Sequence, residues 1–370
     1  MIYLRFRIDS INKLDEYLND KVTDIHNRTL VAWGMGNTGL LYYEGLKRLE
    51  KEDFRIDYYT NSDIQIVRGG ENSSSFNGKP VISPESIVEL KNPLVLIMTP
   101  NKVYVDEIMA GCEEMQVEAR LIDDVIFRLH RKEIRECMSL FSDDRSREIY
   151  AKILVARIKA QRPDPSLVVS RSLFNVPEFF AAERAGRYVD CGAFVGDSIE
   201  SYIRDREDSY GTINKIIAFE PDENNYAAIS TRVDRLKREW LLGEDCFTLY
   251  KAGVGEHTVI GTISEESNGM QSKLIEDGEG KKTQIYALDD VIKEQVSFIK
   301  ADIESYEYQM LAGAKNTIRR YRPNLAICIY HNAVDFYQIP ILVHEICPDY
   351  KLMIRQHSFE SAETLLYAWV

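Results

Sequence analysis

The sequence lacks several features that would assign it to a familiar class of protein. Its six cysteines include no C-x-x-C pair, and several lie inside apolar stretches such as NLAICIYH. Such cysteines are expected to be reduced, small hydrophobic residues of a cytoplasmic protein rather than disulfide partners or zinc ligands. No apolar run approaches the ~18–20 residues that cross a bilayer, and the N-terminus lacks the apolar core of a signal peptide. We therefore expect a cytoplasmic location and no membrane partner.

A long cluster of lysine and arginine is also missing, and the formal net charge is -13. Because an acidic surface repels phosphate backbones, we expect no nucleic-acid partner, although a single basic pocket is compatible with this charge. What is present is a chain of 370 residues, 45% hydrophobic and 28% charged. This length and composition are typical of a globular protein with two domains.

Two stretches of alternating strands and helices are predicted, separated by a helical segment. From residue 29 to about 130, apolar strands alternate with helix-length segments, which predicts crossover connections and a parallel sheet. In SDDRSREIYAKILVARIKAQ, apolar residues recur at helical spacing, and Ser142 or Asp143 can cap the helix. The last two strands, KLMIRQHS and TLLYAWV, are too close for a crossover, so the final strand must be antiparallel.

The predicted fold class is therefore α/β, with two Rossmann-like domains joined by a helical segment. The proposed boundaries are 1–130 for the N-terminal domain, 131–187 for a helical linker that packs on the second domain, and 188–370 for that second domain. The second domain is predicted to be a seven-stranded sheet whose terminal strand is antiparallel.

The stretch LVAWGMGNTGLLYYEGL, at residues 30–46, has the order of the first strand, glycine turn and helix in dinucleotide-binding folds. Those folds anchor the ribose with an acid at the end of the second strand, where this sequence has Thr60 and Asn61, and Asp63 follows too late. A bound NAD would therefore lack the carboxylate that anchors its ribose. Three roles stay open for this half: NAD binding, recognition of a nucleotide sugar, and a structural or dimerising role.

A second glycine turn, VDCGAFVGDS, spans residues 189–198. The carboxylate of Asp190 before this turn suits the ammonium group of an amino acid and would repel a pyrophosphate, which favours S-adenosylmethionine. In AFEPDENN, Glu220 ends the next strand and can accept both hydroxyls of a ribose, and YKAGVGE supplies small residues for an adenine. The alternatives are a tight turn without a ligand and a solvated carboxylate. The predicted cofactor contacts are Asp190, Gly192, Ala193, Gly196, Asp197, Glu220, Pro221, Asn224, Gly253, Val254 and Asp302.

Two further strand ends carry candidate catalytic residues, since ligands of open α/β sheets bind at the carboxyl ends of the strands. These segments are IKADIESYEYQ and CIYHNAVDFYQIP, followed later by IRQHS. His331 is the predicted base because the ordinary pKa of histidine lies near neutrality. Asp302 is the alternative base, or a ligand of a magnesium ion, but a full ligand set cannot be assembled and no metal is predicted. The predicted substrate contacts are Glu304, Tyr330, Asn332 and His357.

These motifs together resemble the FkbM family of S-adenosylmethionine-dependent methyltransferases over roughly residues 142–370. The resemblance rests on VDCGAFVGDS, FEPDENN, ALDDVI, FIKADIESYEYQMLAGA and the tail from YHNAVDFYQIP to ETLLYAWV. It implies a methyltransferase sheet, S-adenosylmethionine as cofactor, and methyl transfer to a hydroxyl of a sugar, glycan or polyketide. One departure is Ser305, where the family often has glycine.

The N-terminal half is similar to glycine-turn domains attached to sugar-modifying and polysaccharide-assembly enzymes, partly through GKPVISPES at residues 78–86. The expected partner is a small-molecule or glycan acceptor, and a homodimer is compatible with the sequence. The competing predictions are an NAD-linked sugar-modifying oxidoreductase and a non-catalytic protein that binds nucleotide sugars.

Overall fold

Two largely parallel sheets with flanking helices form the frame of the molecule in a computed structural model. The structure describes residues 2–20, 24–62, 75–170, 172–174, 176, 179, 186–209, 213–263, 274–275, 281–360 and 362–370. Asp63, which the sequence placed near the ribose position, lies outside these residues.

The N-terminal half contains a four-stranded sheet that is parallel, as predicted, and a small hairpin of β3 and β4; the order of the four strands is β2-β1-β5-β6. Its strands are β1 (Thr29–Trp33), β2 (Tyr58–Thr60), β3 (Ser75–Phe76), β4 (Lys79–Pro80), β5 (Pro93–Ile97) and β6 (Glu118–Leu121). Its helices are α1 (Ile2–Asn19), α2 (Asn37–Leu41), α3 (Tyr43–Glu50), α4 (Lys102–Glu114) and α5 (Ile122–Leu129).

The end of β2 carries no acid, as the sequence indicated. Thr60 is fully buried there, and its hydroxyl donates to the carbonyl oxygen of Ile82 at 2.9 Å. A side chain committed in this way cannot serve as the ribose anchor of a dinucleotide site.

Two helices connect the halves, α6 (Arg131–Leu140) and α7 (Asp144–Ile158). Asp143 caps α7, because its carboxylate accepts the backbone N–H of Ser146 at 2.8 Å. The apolar residues of α7 are buried in a core that extends over both halves of the chain. Tyr150 of this helix donates to the carbonyl oxygen of Phe336 at 3.0 Å.

The C-terminal half contains a seven-stranded sheet in the order β16-β17-β15-β14-β7-β8-β9 and a smaller sheet in the order β10-β13-β11-β12. Their strands are β7 (Arg187–Cys191), β8 (Lys215–Phe219), β9 (Phe247–Tyr250), β10 (Ala252–Val254), β11 (Val259–Ile263), β12 (Leu274–Ile275), β13 (Lys281–Tyr286), β14 (Phe298–Ala301), β15 (Asn324–Cys328), β16 (Lys351–Gln356) and β17 (Thr364–Trp369). Strand β17 is antiparallel to both of its neighbours, which confirms the predicted terminal hairpin.

The helices of this half are α8 (Asp197–Ser209), α9 (Glu223–Glu239), α10 (Leu288–Val291), α11 (Glu307–Ala312), α12 (Lys315–Tyr321) and α13 (Asp335–Ile346). Across the part of the chain that the structure describes, no helix combines the length and the apolar character that a bilayer crossing requires.

The stretch FTLYKAGVG differs from its predicted form. A single strand was expected, but the chain leaves the large sheet after β9 and enters the smaller sheet as β10. The smaller sheet itself was not predicted. Its strands are short and mostly polar, such as KKTQIY in β13, so they lack the apolar run that marks a buried strand.

The two halves are joined by polar contacts as well as by the shared core. The guanidinium of Arg48 forms an ion pair with the fully buried carboxylate of Asp335. Arg157 donates to Asp123 at 2.7 Å and to the carbonyl oxygen of Tyr330 at 2.8 Å. These contacts fix the end of β15 against the N-terminal half.

Candidate active site

A cavity of about 680 Å³ opens at the carboxyl ends of β7, β8 and β14. We call it the first cavity. Open α/β sheets bind ligands at this edge. Eight of the residues predicted from the sequence line it: Gly192, Asp197, Glu220, Pro221, Gly253, Val254, Asp302 and Glu304.

The second glycine turn closes tightly against the end of β14. Gly192 has a φ of 79°, and a Cβ atom there would lie 2.0 Å from the carbonyl oxygen of Asp302. Only glycine satisfies both conditions. The turn therefore brings the backbone after β7 beside Asp302 at the rim of the first cavity.

Glu220 ends β8, and its side chain is fixed by the backbone around it. Its carboxylate accepts the N–H of Phe194 at 2.8 Å and the N–H of Asp222 at 2.9 Å. Burial outweighs these hydrogen bonds and raises the pKa of Glu220 to about 7. A carboxylate held in place beside a cavity can accept hydrogen bonds from ligand hydroxyls when it is ionised.

Asp190 does not line the first cavity, contrary to the prediction. It is fully buried, with the ammonium of Lys300 at 3.1 Å and the hydroxyl of Ser198 at 2.6 Å. Its charge is thus compensated inside the protein, and Lys300 and Ser198 line the cavity instead. Three other predicted contacts, Ala193, Gly196 and Asn224, are also absent from the lining, where Asn225 is present.

A second cavity, of about 850 Å³, lies between the two halves of the chain. Tyr330 and His331 line it from the end of β15, while Thr38, Leu41 and Tyr42 line it from the helix that follows the first glycine turn. The N-terminal half therefore forms much of its wall.

A cluster of three carboxylates surrounds His331 where the two cavities approach each other. Nε2 of His331 lies 3.4 Å from Asp302 and 3.7 Å from Glu304, and Nδ1 lies 3.2 Å from Glu307. Asp302 and Glu304 line the first cavity, whereas His331 lines the second. Asp302 and His331 follow two neighbouring strands, β14 and β15.

The surroundings of His331 change its acid–base role. Burial by itself lowers the pKa of His331, but Glu307, Glu304 and Asp302 together raise it to about 10. The imidazole therefore carries its proton at neutral pH. A ring that carries a proton cannot accept another one, so this geometry favours a neighbouring carboxylate as the base, and the role of His331 stays a prediction.

The pKa of Glu304 is raised as well, but the main cause is burial. Burial raises its pKa to about 7, with the negative charges of Asp302 and Glu307 acting in the same direction. A carboxyl group with a pKa near the working pH is suited to proton transfer. The sequence predicts a substrate contact for Glu304. Its raised pKa depends on burial, which the sequence does not show.

The segment that carries Glu304 has a strained backbone. Glu304 and Ser305 both have positive φ angles, 55° and 78°. The hydroxyl of Ser305 donates to the carbonyl oxygen of Leu41 at 2.6 Å, and Asn332 donates to that hydroxyl at 3.3 Å. Contacts from both halves thus hold the strained turn, as at many functional sites.

The same cluster offers ligands that a metal ion can use. One donor atom each from Asp302, Glu307 and His331 lies within 4.8 Å of the others. Carboxylate and imidazole donors suit divalent cations such as magnesium, manganese or zinc.

Two predicted substrate contacts lie away from both cavities. Asn332 is fully buried, and its amide donates to Asp335 at 2.6 Å. His357 contacts the carbonyl oxygen of Ser170 at 2.7 Å and the hydroxyl of Tyr367 at 2.8 Å, and burial lowers its pKa to about 4. Both are held within the fold, so the structure does not bring either to the site.

The sequence analysis did not predict several of the residues that line the two cavities. Lys300 is a single charge inside the apolar strand FIKA, and this signal was visible. Glu363 lines the first cavity from the hairpin between β16 and β17, and burial raises its pKa. Thr38 and Tyr42 line the second cavity together with Tyr330 and His331, although more than half of the chain separates the two pairs in sequence. No local sequence pattern indicates such a contact.

Comparisons with known proteins agree with this geometry. Residues 190–360 match the family described as "Methyltransferase FkbM domain". The crystal structure of methyltransferase FkbM from Methylobacillus flagellatus KT is similar over 99% of this chain and 100% of its own, with a TM-score of 0.57 and 19% identity. At that identity the likeness shows the fold, and it extends over both halves.

A second solved structure, the O-methyltransferase from Bacillus cereus in complex with SAH, has a TM-score of 0.34 and 12% identity. The similarity extends over 62% of this chain and 91% of that protein. No curated protein matches the chain. The family match covers the strand ends that form the first cavity, and we conclude that residues 190–360 of this chain form an FkbM methyltransferase domain, with S-adenosylmethionine as its cofactor.

Proposed function

We propose that the protein transfers the methyl group of S-adenosylmethionine to a hydroxyl of a sugar or glycan. The observation that carries this proposal is the close approach of the two cavities, since Asp302 of the first and His331 of the second lie 3.4 Å apart. One cavity has the residues that suit the cofactor, and the other has room for an acceptor. Methyl transfer requires the two ligands to face each other at such a point.

The residues of the first cavity suit the parts of the cofactor. Glu220 accepts hydrogen bonds from the ribose, and Gly253 and Val254 leave space for the adenine. Asp197 and Asp302 offer carboxylates to the ammonium group, a role that Asp190 cannot take because Lys300 already neutralises it. The bound cofactor supplies a sulfonium methyl that is already activated.

Glu304 acts as the base in this mechanism. It lines the first cavity beside Asp302, and burial raises its pKa to about 7. The acceptor oxygen attacks the methyl carbon, the carbon–sulfur bond breaks, and the hydroxyl proton moves to Glu304. Protonated His331 holds Asp302 and Glu304 in place, and Glu307 fixes the ring from the other side. The protein thus supplies alignment and a proton acceptor.

A sugar-like acceptor is favoured by the polar groups of the second cavity. Hydroxyl and amide side chains line it beside the aromatic rings of Tyr42 and Tyr330, and these polar residues are Thr38, Thr99, Asn101 and Gln161. Amide and hydroxyl groups pair with sugar hydroxyls, and aromatic rings pack on the apolar face of a sugar.

The test is incubation with S-adenosylmethionine and a pool of sugars, nucleotide sugars and glycans, followed by mass spectrometry and NMR of the products. We expect a carbohydrate with a new methyl ether. Glu304→Gln is the control, because it should bind S-adenosylhomocysteine normally but form little product. A product methylated on nitrogen or carbon would contradict O-methylation, and the lack of any methylated carbohydrate would contradict the acceptor class.

We also propose that the protein works in the cytoplasm, because its six cysteines are free and buried. The division into residues 1–130, 131–187 and 188–370 stays a proposal. It is supported by the two separate sheets and by the helices α6 and α7 between them.

A further inference from the structure

We infer that the second cavity binds a phosphate-bearing sugar, with the phosphate held by the N-terminal half and a sugar hydroxyl presented at Glu304. This inference rests on the proposed O-methylation for the identity of the reaction. It assigns a ligand to the first glycine turn and the sheet behind it, for which the methyltransferase chemistry has no use.

The topology of the N-terminal sheet places a binding crevice at the second cavity. In the order β2-β1-β5-β6, the chain leaves β1 on one side to form β2 and returns on its other side to form β5. Ligands of open parallel sheets bind outside the carboxyl ends at such a switch point. The residues that follow β1 and β5, Thr38 and Thr99, both line the second cavity.

The carboxyl ends of the two sheets therefore face one space. Tyr330 and His331 follow β15 of the large sheet and line the same cavity as Thr38 and Thr99. At about 850 Å³ the cavity falls within the range of sites for small ligands of ~300–1,000 Å³. A ligand with two parts can thus touch the N-terminal sheet at one end and the methyl-transfer point at the other.

The first glycine turn has one glycine without a packing reason. Gly34 has a φ of 133°, and a Cβ atom on Gly39 would lie 2.2 Å from the carbonyl oxygen of Gly34, so the turn itself requires both. A Cβ atom on Gly36 would meet nothing within 4 Å. In dinucleotide-binding folds, the second glycine leaves space for a phosphate group; here Gly36 itself does not line the second cavity, and Thr38, two residues later, does.

Lysine and arginine outnumber acids in the lining of the cavity by three to two, although the whole chain has a formal charge of -13. Lys102, Arg157 and Arg162 line it, and the 13-residue helix α4 begins at Lys102, where helix dipoles favour anions. Two acids line it as well. Asp123 is paired with Arg157 at 2.7 Å, and Glu360 with Arg162 at 3.4 Å. Lys102 also pairs with Asp106, but both side chains are more than half exposed, so an anion can compete for this lysine.

His331 marks the end of the second cavity that is nearest to the first cavity. Its side chain is 1% exposed, and its ring nitrogens lie 3.4 Å from Asp302, 3.7 Å from Glu304 and 3.2 Å from Glu307. A ligand that fills the second cavity would therefore bring its hydroxyl beside this cluster of carboxylates.

The experiment is calorimetric titration of the full chain, saturated with S-adenosylhomocysteine, with three probes: uridine diphosphate, inorganic pyrophosphate and glucose 1-phosphate. We expect saturable binding of at least one probe, weakened at least tenfold in Lys102→Glu. Lys132→Glu changes the net charge equally on helix α6, outside the cavity, and should bind as the original protein does. Thr38→Trp, which fills the cavity, should abolish probe binding.

The three probes distinguish between a nucleotide-linked sugar and a simple sugar phosphate as the natural ligand. Tighter binding of uridine diphosphate than of pyrophosphate supports a nucleotide-linked sugar, and tightest binding of glucose 1-phosphate supports a simple sugar phosphate. No binding of any probe, or equal losses in Lys102→Glu and Lys132→Glu, would overturn the inference. The affinity for S-adenosylhomocysteine, measured in each preparation, shows separately whether the methyltransferase site is intact.

Discussion

Two carboxylates that line the first cavity, one buried and one half-buried, have raised pKa values for the same reason. Burial raises the pKa of Glu220 and the pKa of Glu304 to about 7 in each case. Both groups therefore change charge near physiological pH, but they would act on different ligands. We propose that Glu220 contacts the ribose of the cofactor and that Glu304 contacts the acceptor hydroxyl, so pH should affect binding and turnover separately.

The affinity for S-adenosylhomocysteine should fall as the pH decreases from about 8 to about 6. Below its raised pKa of about 7, Glu220 becomes protonated and loses its charged hydrogen bonds, each worth ~1.5–3 kcal/mol. Glu220→Gln should weaken binding at the higher pH and remove this pH dependence. Calorimetry at several pH values measures both effects. A parallel pH dependence in the variant would show that another group is responsible.

Turnover should respond to Glu304 rather than to the loss of a proton from His331. Glu304→Gln should reduce kcat by ~10²–10⁴-fold with little change in cofactor affinity, since a general base contributes this much. The rate of the original protein should rise with pH through an ionisation near 7, because Glu304 must be ionised and His331 stays protonated to about 10.

The matched variant for this prediction is His331→Gln, which keeps a hydrogen-bond donor but loses the charge. Removing the cation should raise the pKa of Glu304 further, so the rise in the pH–rate profile should move to higher pH. A profile that loses its rise in His331→Gln, while Glu304→Gln keeps it, would restore His331 as the base. Loss of activity on chelation would add a metal at Asp302, Glu307 and His331.

At the scale of elements, two turns with unusual backbone angles shape the site. The turn at Gly192 lies under Asp302 with its φ of 79°, and the turn at Glu304 and Ser305 carries two positive φ angles without glycine. Each turn follows a strand of the large sheet, and each places a side chain at the first cavity. Their side-chain requirements can be tested independently.

Gly192→Ala should destabilise the protein and weaken binding of S-adenosylhomocysteine. The added Cβ would lie 2.0 Å from the carbonyl oxygen of Asp302, and the positive φ alone costs ~1–3 kcal/mol. Gly243→Ala is the control, because a Cβ atom there would meet nothing within 4 Å. Urea unfolding and calorimetry measure the two effects. Equal stability of the two variants would contradict the tight turn.

Ser305→Ala should be more destabilising than Ser305→Gly. Both variants lose the hydrogen bond to the carbonyl oxygen of Leu41, worth ~1 kcal/mol, but only glycine relieves the positive φ of 78°. The expected difference is ~1 kcal/mol, measured from the midpoints of urea unfolding. A more stable alanine variant would mean that the backbone at this turn is not strained.

At the scale of the whole molecule, the junction between the halves decides where the second cavity lies. Arg157 connects Asp123 and Tyr42 of the N-terminal half to the carbonyl oxygen of Tyr330. These groups are buried, so their hydrogen bonds are not replaced by water when one partner is removed. The position of His331, next to Tyr330, therefore depends on residues far away in the sequence.

Arg157→Leu should lower the free energy of unfolding by ~3–5 kcal/mol, because it leaves the buried carboxylate of Asp123 unpaired. Arg120→Leu is the matched control. Arg120 pairs with Glu118 at 3.2 Å at the surface, with half of its side chain exposed, and such a pair contributes ~0–1 kcal/mol. Urea unfolding of both variants measures the contrast. A small loss in Arg157→Leu would show that the junction tolerates separation.

The sequence alone determined most strands of the two large sheets, their parallel direction in each half and the antiparallel end of the seven-stranded sheet. It also located Glu220, Asp302 and Glu304, because each follows an apolar strand directly, and the carboxyl end of a strand is a local feature of the chain. The glycine turn at Gly192 was visible for the same reason. These predictions depend only on neighbours within a few residues.

Only the tertiary structure decided which side chains pair with each other and which of them keep a charge. Asp190 is neutralised by Lys300, 110 residues away in the sequence, and His331 keeps its proton because Glu307, Glu304 and Asp302 converge on it. The wall that Thr38 and Tyr42 contribute to the second cavity likewise comes from the other half of the chain. A pKa or a cavity depends on burial and on distances of a few ångströms between distant segments, and the local pattern of a sequence contains neither.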